Sequence, residues 1–270
     1  MLTDANGWLQ IAEVNPPQLP DLSHRELKGA WSNVLITDNV MGKIRVSPYA
    51  FGARITHDVP SVHPTVVVST RDRNILAIES EVRGALGNGI DSFFVVIGDT
   101  VPAVDHLADH YEIVEHLRSL QEHMPKFEVG MPTRFREWQL RRRIDLGAQY
   151  FIAGPVIDPA TVGPQTEKLR FKDDDPPVFL ALIPPFSVPW VERAEMLGTV
   201  AATDGLKQQI MELPAERQRE HGWDQAALIA RRAKEFGYAG VVLMGLKYST
   251  LVNGGAAEWQ ARLQAEIAGR

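Results

Sequence analysis

The sequence predicts an α/β protein, built as one (β/α)₈ TIM barrel that spans residues 1–270 as a single domain. Short apolar runs alternate with helix-length amphipathic segments along the whole chain. Several of the runs are continuous stretches of Val, Ile and Phe, which is typical of strands buried on both faces of a parallel sheet. The length of 270 residues also suits one barrel, which takes ~250 residues.

Eight runs are predicted to be strands. In chain order they are 8–14, 33–38, 65–70, 92–99, 127–131, 150–156, 178–184 and 240–246. Strands of this kind need a crossover connection, usually a helix, to run parallel to one another.

Five segments between these runs have a helical spacing of apolar residues. They are 73–86, 103–124, 135–146, 188–197 and 223–236. Gly87, Gly147 and Gly237 follow three of them, where a helix is expected to stop. A doubly wound open sheet has the same alternation, but it is disfavoured because no G-x-G-x-x-G sequence follows the first strand.

The composition of the chain excludes several classes of function. The charged residues comprise 28 Lys and Arg against 34 Asp and Glu, a net charge of −6, so we expect no nucleic-acid partner. The chain has no cysteine, which excludes disulfides and thiolate chemistry. Neither a 20-residue apolar run nor a signal-peptide pattern is present, so we expect no membrane partner and a cytoplasmic protein.

The carboxyl ends of barrel strands carry catalytic groups, so the polar residues there are candidates. The first four strands end in most of them: Glu13, Asn15, Thr37, Asp38, Asn39, residues 69–74 and Asp99. The later strands end in Thr133, Gly154 and Lys247, which offer less chemistry.

Glu13 lies within an apolar strand, and two interpretations remain open. A carboxyl group in the barrel mouth would have a raised pKa, which suits a general acid. Alternatively, Glu13 forms a structural ion pair with Arg71 or Arg73. Asp99 is expected, on its position alone, to cap the following helix. The basic run 141–143 lies on a predicted helix and is typical of a solvated face.

Four segments resemble motifs of the methylenetetrahydrofolate reductase family, in the family's order. They are AEVNPP from Ala12, STRDRN from Ser69, GIDSFFVVIGD from Gly89 and LRRRIDLGAQYFIAGP from Leu140. The resemblance covers residues 12 to about 155, and the spacing of the later strands extends it over nearly the whole chain.

The resemblance implies a TIM-barrel oxidoreductase that reduces 5,10-methylenetetrahydrofolate with NAD(P)H and, in most members, FAD. It implies that Glu13 is the general acid and that Asp99 holds the folate between pterin and flavin. Thr37, Asp72 and Arg73 would lie near the cofactor. Arg142 and Arg143 would face its phosphates or ribose. The family is commonly oligomeric, which leaves a homo-oligomer open.

The chain departs from the family at several positions. The pterin-binding Gln is replaced by Gly154, and the usual His and Cys of strand three by Val67 and Thr70. These losses suggest an altered flavin site. They leave two other functions open: a methyltetrahydrofolate-dependent demethylase or methyltransferase component, and a non-catalytic folate-binding paralogue.

Overall fold

A computed structural model of the chain describes residues 1–4, 7–19, 31–99, 107–172, 174–196, 198 and 200–268. Within them, eight parallel strands pair in chain order and close into a barrel, the first with the last. The strands are β1 Leu9–Val14, β2 Asn33–Ile36, β3 His63–Ser69, β4 Ser92–Val96, β5 Glu128–Thr133, β6 Tyr150–Val156, β7 Val178–Leu182 and β8 Gly240–Leu243. The TIM-barrel prediction is confirmed, and the open-sheet alternative is wrong.

Helices connect the strands and cover the barrel. Those in the described ranges are α1 Pro48–Asp58, α2 Ile75–Gly87, α3 His110–Leu120, α4 Glu137–Asp145, α5 Pro159–Thr166, α6 Val188–Glu195, α7 Asp204–Met211, α8 Ala215–Glu235, α9 Tyr248–Val252 and α10 Ala257–Ala268. Their apolar faces pack on the outward-facing strand residues and form the larger of the two main cores.

The five predicted helices are present as α2, α3, α4, α6 and α8, and the boundaries differ most in two of them; α1, α5, α7, α9 and α10 were not predicted. The helix predicted from residue 103 begins at His110, where Asp109 accepts a hydrogen bond from the Tyr111 amide and caps it; residues 103–106 lie outside the described residues, as does residue 197 of another predicted helix. The helix predicted from 223 starts at Ala215. Its first two turns are polar, so apolar periodicity alone does not reveal them.

The inner core fills the barrel and sets the direction of the site residues. Successive side chains of a strand point to opposite faces. Leu9 and Ile11 of β1 contact the inner core, so Glu13 points the same way, one layer nearer the carboxyl end. By the same alternation Thr37 follows Leu35 into the barrel mouth.

The opposite end of the barrel is closed by the start of the chain. Leu2 packs into the inner core. The carboxylate of Glu128, which is fully buried, accepts hydrogen bonds from the Leu2 amide at 2.6 Å and from the Thr3 amide and hydroxyl at 2.9 and 2.8 Å. Among the described residues, this end of the barrel is thus filled by the first residues of the chain. No helix in the described part of the chain is long and apolar enough to cross a bilayer.

Candidate functional site

The larger of two cavities at the carboxyl ends of the strands has a volume of about 620 Å³. Residues at or just after the carboxyl ends of β1, β2, β6, β7 and β8 line it, together with residues of α6. The lining residues are Glu13, Asn15, Pro16, Pro17, Val40, Met41, Lys43, Arg45, Pro155, Ile183, Trp190, Arg193, Ala194, Met244, Gly245, Leu246 and Lys247. Most of the wall is apolar, which is typical of a pocket for an organic ligand.

Glu13 is the acidic residue of this cavity, and its side chain makes no ion pair with any described basic residue. It is 7% exposed. The pKa of Glu13 is raised to about 7, chiefly by burial; the nearby charge of Asp99 also raises it, while the Gly245 amide and the Asn15 side chain lower it. The ion-pair interpretation from the sequence is wrong, because Arg73 pairs with Asp38 and no ion pair of Glu13 is present among the described residues.

Gly245 brings two walls of the cavity together beside Glu13. Its amide donates a hydrogen bond to Glu13 Oε1 at 3.3 Å. Its backbone has a φ of +78°, and a Cβ there would lie 3.2 Å from the Trp190 ring. Only glycine adopts this conformation readily and lets the indole approach the strand end.

Asn15, which lines the cavity together with Glu13, is hydrogen-bonded to Thr37. The Thr37 hydroxyl, which is buried, donates to Asn15 Oδ1 at 2.8 Å, and the carbonyl of Val14 lies 3.4 Å from the same hydroxyl. The structure thus places Thr37 one hydrogen bond away from a lining residue of the large cavity.

Four basic side chains surround the cavity: Lys43, Arg45, Arg193 and Lys247. They come from the segment after β2, from α6 and from the segment after β8. Arg45 is anchored by a 2.8 Å hydrogen bond to the Pro16 carbonyl. With one acid against four basic residues, the cavity favours an anionic ligand.

A smaller cavity of about 270 Å³ lies beside the first, between the ends of β2, β3 and β4. Asp38, whose side chain is 1% exposed, forms an ion pair with Arg73 at 2.5 Å on its wall. Arg73 also reaches Glu81 at 3.1 Å. Asp72 lines the same cavity in a left-handed conformation with a φ of 59°.

Asp99 connects the two cavities. Its Oδ2 accepts a hydrogen bond from the Met41 amide at 2.5 Å. Asn39, Met41 and Gly42 have positive φ angles of 44°, 58° and 67°. Asp99 therefore holds a tight turn that carries Lys43 and Arg45 to the large cavity, and it is not seen as a helix cap in the described residues.

Arg142 and Arg143 line neither cavity. The Arg142 guanidinium stacks on the Tyr111 ring at 4.3 Å from its centroid. Arg143 is 5% exposed and donates to the Pro132 carbonyl. The basic run is thus not a uniformly solvated face, because Arg143 packs between α3 and β5.

The acids of the barrel mouth do not form a metal centre. Asp38 is held by Arg73, and Asp99 accepts the Met41 amide. In the described ranges, no group of three or more His, Asp and Glu side chains converges on a point where a metal ion could sit. The donor set therefore does not fit a divalent cation such as Mg²⁺, which takes oxygen ligands.

Much of the cavity wall was not predicted from the sequence. Trp190 and Arg193 lie on α6, and Lys43 and Arg45 lie in the turn after β2. Lys43 and Arg45 could have been found in the sequence, because both lie between the second predicted strand and the next proline. The residues of α6 had no such marker, because only closure of the barrel brings that helix to Glu13.

Comparisons with known proteins find similar folds but no relative in sequence. No family model matches the chain, and no curated protein does. A solved structure of 2,3-dimethylmalate lyase, a member of the PEP mutase/isocitrate lyase superfamily, is 13% identical with a TM-score of 0.52 and covers 98% of this chain and 84% of that chain. EDTA monooxygenase from Chelativorans sp. BNC1 is 12% identical with a TM-score of 0.54, covering 97% and 94%. Oxaloacetate acetylhydrolase with bound oxalate is 10% identical with a TM-score of 0.52, covering 100% and 86%.

These findings contradict the predicted methylenetetrahydrofolate reductase assignment, since the similar structures named above are a lyase of the PEP mutase/isocitrate lyase superfamily, a monooxygenase and a hydrolase. The folate oxidoreductase function, the FAD, NAD(P)H and folate predictions and both folate-based alternatives depended on it and are contradicted as well. Gly154 supplies a physical reason: its φ is +109°, and a Cβ there would lie 2.9 Å from the Ala181 carbonyl oxygen. No side chain, and hence no pterin-binding amide, fits at that position.

Proposed function

We propose that the protein is a lyase-type enzyme for an organic carboxylate, in which Glu13 transfers a proton to or from a substrate carbon. The observation that carries the proposal is the position of Glu13, which is buried, without an ion pair to any described basic residue, in a large cavity that is otherwise mainly basic and apolar. Its pKa of about 7 suits it to donate and accept protons at neutral pH.

Charge complementarity supports an anionic substrate. Lys43, Arg45, Arg193 and Lys247 meet the carboxylate groups, since the described acidic side chains of the mouth do not converge on a metal ion that could do so. Arg and Lys bind carboxylates through charge-assisted hydrogen bonds. The apolar walls, including Trp190, take the carbon skeleton.

The names of the similar structures support the same class of substrate. Dimethylmalate, oxaloacetate and EDTA are all organic carboxylates. The first of these proteins is a lyase by name. The likeness itself concerns only the fold, so the choice of a lyase rests on Glu13 together with this chemistry.

The proposed step is a retro-aldol cleavage of the bond between the carbon that bears a carboxylate and a neighbouring carbon that bears a hydroxyl. The hydroxyl gives its proton to water and becomes the carbonyl of the departing fragment, while the bonding electrons pass to the first carbon as an enolate, which protonated Glu13 then protonates. In the opposite direction, ionised Glu13 removes a proton from that carbon, the enolate forms a bond to a carbonyl carbon, and the carbonyl oxygen takes a proton from water. The basic side chains offset the negative charge that develops on the enolate oxygens.

The test is a panel of branched and unbranched hydroxy- and keto-dicarboxylates, incubated with the wild-type protein and analysed for cleavage products by mass spectrometry. We expect Glu13→Gln to lower kcat at least ~100-fold on any substrate found, as is typical for loss of a general acid. Glu220→Gln, an exposed site on α8, is the matched control and should leave turnover unchanged.

Turnover by Glu13→Gln at the wild-type rate would contradict the proposal. So would a failure of every carboxylate in the panel to bind, measured by calorimetry at pH 6 and low ionic strength, where the cavity charge is most positive.

A further inference from the structure

Arg45 differs from the other basic residues of the large cavity because both its backbone and its side chain are held. Its backbone amide donates a hydrogen bond to Asn39 Oδ1 at 2.9 Å. One terminal NH₂ group of its guanidinium donates to the Pro16 carbonyl at 2.8 Å. The other basic side chains of the cavity are exposed and make no side-chain hydrogen bond within the described part of the chain: Lys43, Arg193 and Lys247. Arg45 thus has a defined position before a ligand arrives.

The turn that carries Arg45 is held from the side of the smaller cavity. Asn39 lines that cavity, and its NH₂ group donates a hydrogen bond to Asp38 Oδ1 at 2.9 Å. Arg73 holds the other carboxylate oxygen of Asp38 at 2.5 Å. Asn39 has a φ of 44°, a left-handed conformation that Asn adopts more readily than most residues. A continuous chain of hydrogen bonds therefore runs from Arg73 through Asp38 and Asn39 to the backbone of Arg45.

The guanidinium of Arg45 has no carboxylate partner among the described residues. The Pro16 carbonyl occupies one terminal NH₂ group, which leaves the edge formed by Nε and the second NH₂ group. Nε is buried and has no acceptor in the described ranges. A planar carboxylate matches such an edge with two parallel hydrogen bonds. A ligand carboxylate would therefore supply the acceptors that the protein lacks.

The guanidinium of Arg45 is tied to the strand end that carries Glu13. Pro16 follows Glu13 by three residues in the sequence, just beyond the end of β1. Glu13, Pro16 and Arg45 all line the large cavity, whereas Arg193 reaches it from α6. A carboxylate bound by Arg45 is therefore held at the end of β1, where Glu13 also lies.

We propose that Arg45 anchors the substrate carboxylate whose neighbouring carbon faces Glu13, and that Asn39 is the positioning residue that holds Arg45 for this contact. The inference rests on the proposed function, because it names the basic residue that binds the carboxylate of the reacting carbon. That carboxylate gains negative charge as the enolate forms, so the contact with Arg45 strengthens during the reaction. The exposed basic residues add positive charge to the cavity without fixing the ligand.

The probe is succinate, a dicarboxylate that has no hydroxyl group and cannot undergo the proposed cleavage. Its affinity for the full-length protein is measured by calorimetry at pH 6 and low ionic strength. Arg45→Lys keeps the charge but loses the planar fork, so we expect at least ~10-fold weaker binding. Arg193→Lys should weaken binding less than about threefold, because an exposed charge without a fixed position contributes little. Arg83→Lys, at an exposed site on α2, is the matched control and should leave binding unchanged.

The Nε–H signal of Arg45 in ¹H–¹⁵N NMR spectra reports the contact directly, and Arg45→Lys assigns it. Succinate should shift this signal. Asn39→Gly removes both side-chain hydrogen bonds of Asn39, and glycine tolerates the left-handed φ. It should weaken succinate binding about threefold to tenfold in the wild type and add no further loss in the Arg45→Lys background, because Asn39 acts through Arg45. A merely structural role of Asn39 would weaken binding in both backgrounds.

Four results would overturn the inference. They are failure of succinate to bind the wild type, an Arg45 Nε–H signal that stays in place at saturating succinate, equal losses in Arg193→Lys and Arg45→Lys, and additive losses in the double variant with Asn39→Gly. Cleavage of a substrate that needs Glu13 but is unaffected by Arg45→Lys would overturn the role of Arg45 and leave the proposed function standing. Succinate binding with the expected losses, but without turnover of any hydroxy- or keto-dicarboxylate, would overturn the proposed function alone.

Discussion

Replacing Glu13 by Gln should make the fold more stable at high pH and not at low pH. Burial raises the pKa of Glu13 from an ordinary value of 4.5 to about 7. Between these values the folded state binds more protons than the unfolded state, so the stability of the wild type falls as pH rises. At about 1.4 kcal/mol per pKa unit, the cost of keeping the ionised carboxylate buried reaches about 3 kcal/mol above pH 7.

The assay is urea unfolding of the wild type and Glu13→Gln at pH 4.5, 6 and 8. Gln does not titrate, so its stability advantage should grow by about 3 kcal/mol between pH 4.5 and 8. The comparison uses the change in the stability difference between pH values, which cancels any effect of the Gln amide that does not depend on pH. Glu220→Gln, which alters an exposed carboxylate on α8, should show no such growth.

A stability difference between wild type and Glu13→Gln that stays constant from pH 4.5 to 8 would refute the reasoning. It would mean that Glu13 is already ionised at low pH and that the burial of its charge has no cost. If the stability advantage of Glu13→Gln shrank with rising pH, the pKa of Glu13 would be lowered in the folded state, which implies a cationic partner for Glu13.

Three further substitutions test other parts of the structure. Asp99→Ala removes the acceptor of the Met41 amide, so this amide should exchange its hydrogen about tenfold faster in NMR measurements. Asp99→Asn keeps an acceptor and should leave the exchange rate unchanged. Equal rates in the two variants would contradict this role of Asp99. Gly154→Ala should lower stability by about 1–3 kcal/mol in urea unfolding, since its φ is +109° and the Ala181 carbonyl is 2.9 Å from the added Cβ; an unchanged midpoint would contradict it. Glu128→Gln should lower the melting temperature by several degrees in a thermal scan, because it removes a charged acceptor of three hydrogen bonds from the start of the chain; a wild-type value would contradict that.

The barrel could be predicted well from the sequence, because the pattern that identifies each strand lies within a few consecutive residues. Each strand is a short apolar run, and burial on both faces requires such runs in a closed parallel sheet. The helices were harder to predict: α1 and α5, which contain glycine or proline, were not predicted, and α8 begins with polar turns that its predicted range left out. Packing against the barrel stabilises these segments in spite of their weak local patterns.

The site was only partly predictable. The position of Glu13 in the mouth follows from strand alternation after Leu9 and Ile11. Its environment does not, because the Gly245 amide comes 232 residues later in the chain and Arg73 is occupied by Asp38. The family resemblance misled for a related reason: short polar motifs at strand ends occur wherever a barrel needs polar residues at its mouth.

The cofactor-site prediction for Thr37, Asp72, Arg73, Arg142 and Arg143 combined residues that the fold separates. Asp72 and Arg73 border the small cavity, whereas Arg142 and Arg143 pack around Tyr111. Spacing along the chain could not reveal this, since the direction of each side chain depends on the helix or strand that holds it. The absence of a nucleic-acid partner and the oligomeric state stay predictions.

The central claim is that Glu13 exchanges a proton with a substrate carbon, and solvent-isotope incorporation tests it most directly. A carboxylate that binds the protein is incubated in D₂O at pH 7 with wild type, Glu13→Gln or Glu220→Gln, and deuterium at the carbon beside the carboxylate is followed by NMR. We expect incorporation with the wild type and Glu220→Gln and at least ~100-fold slower incorporation with Glu13→Gln. Equal incorporation by all three proteins would contradict the claim.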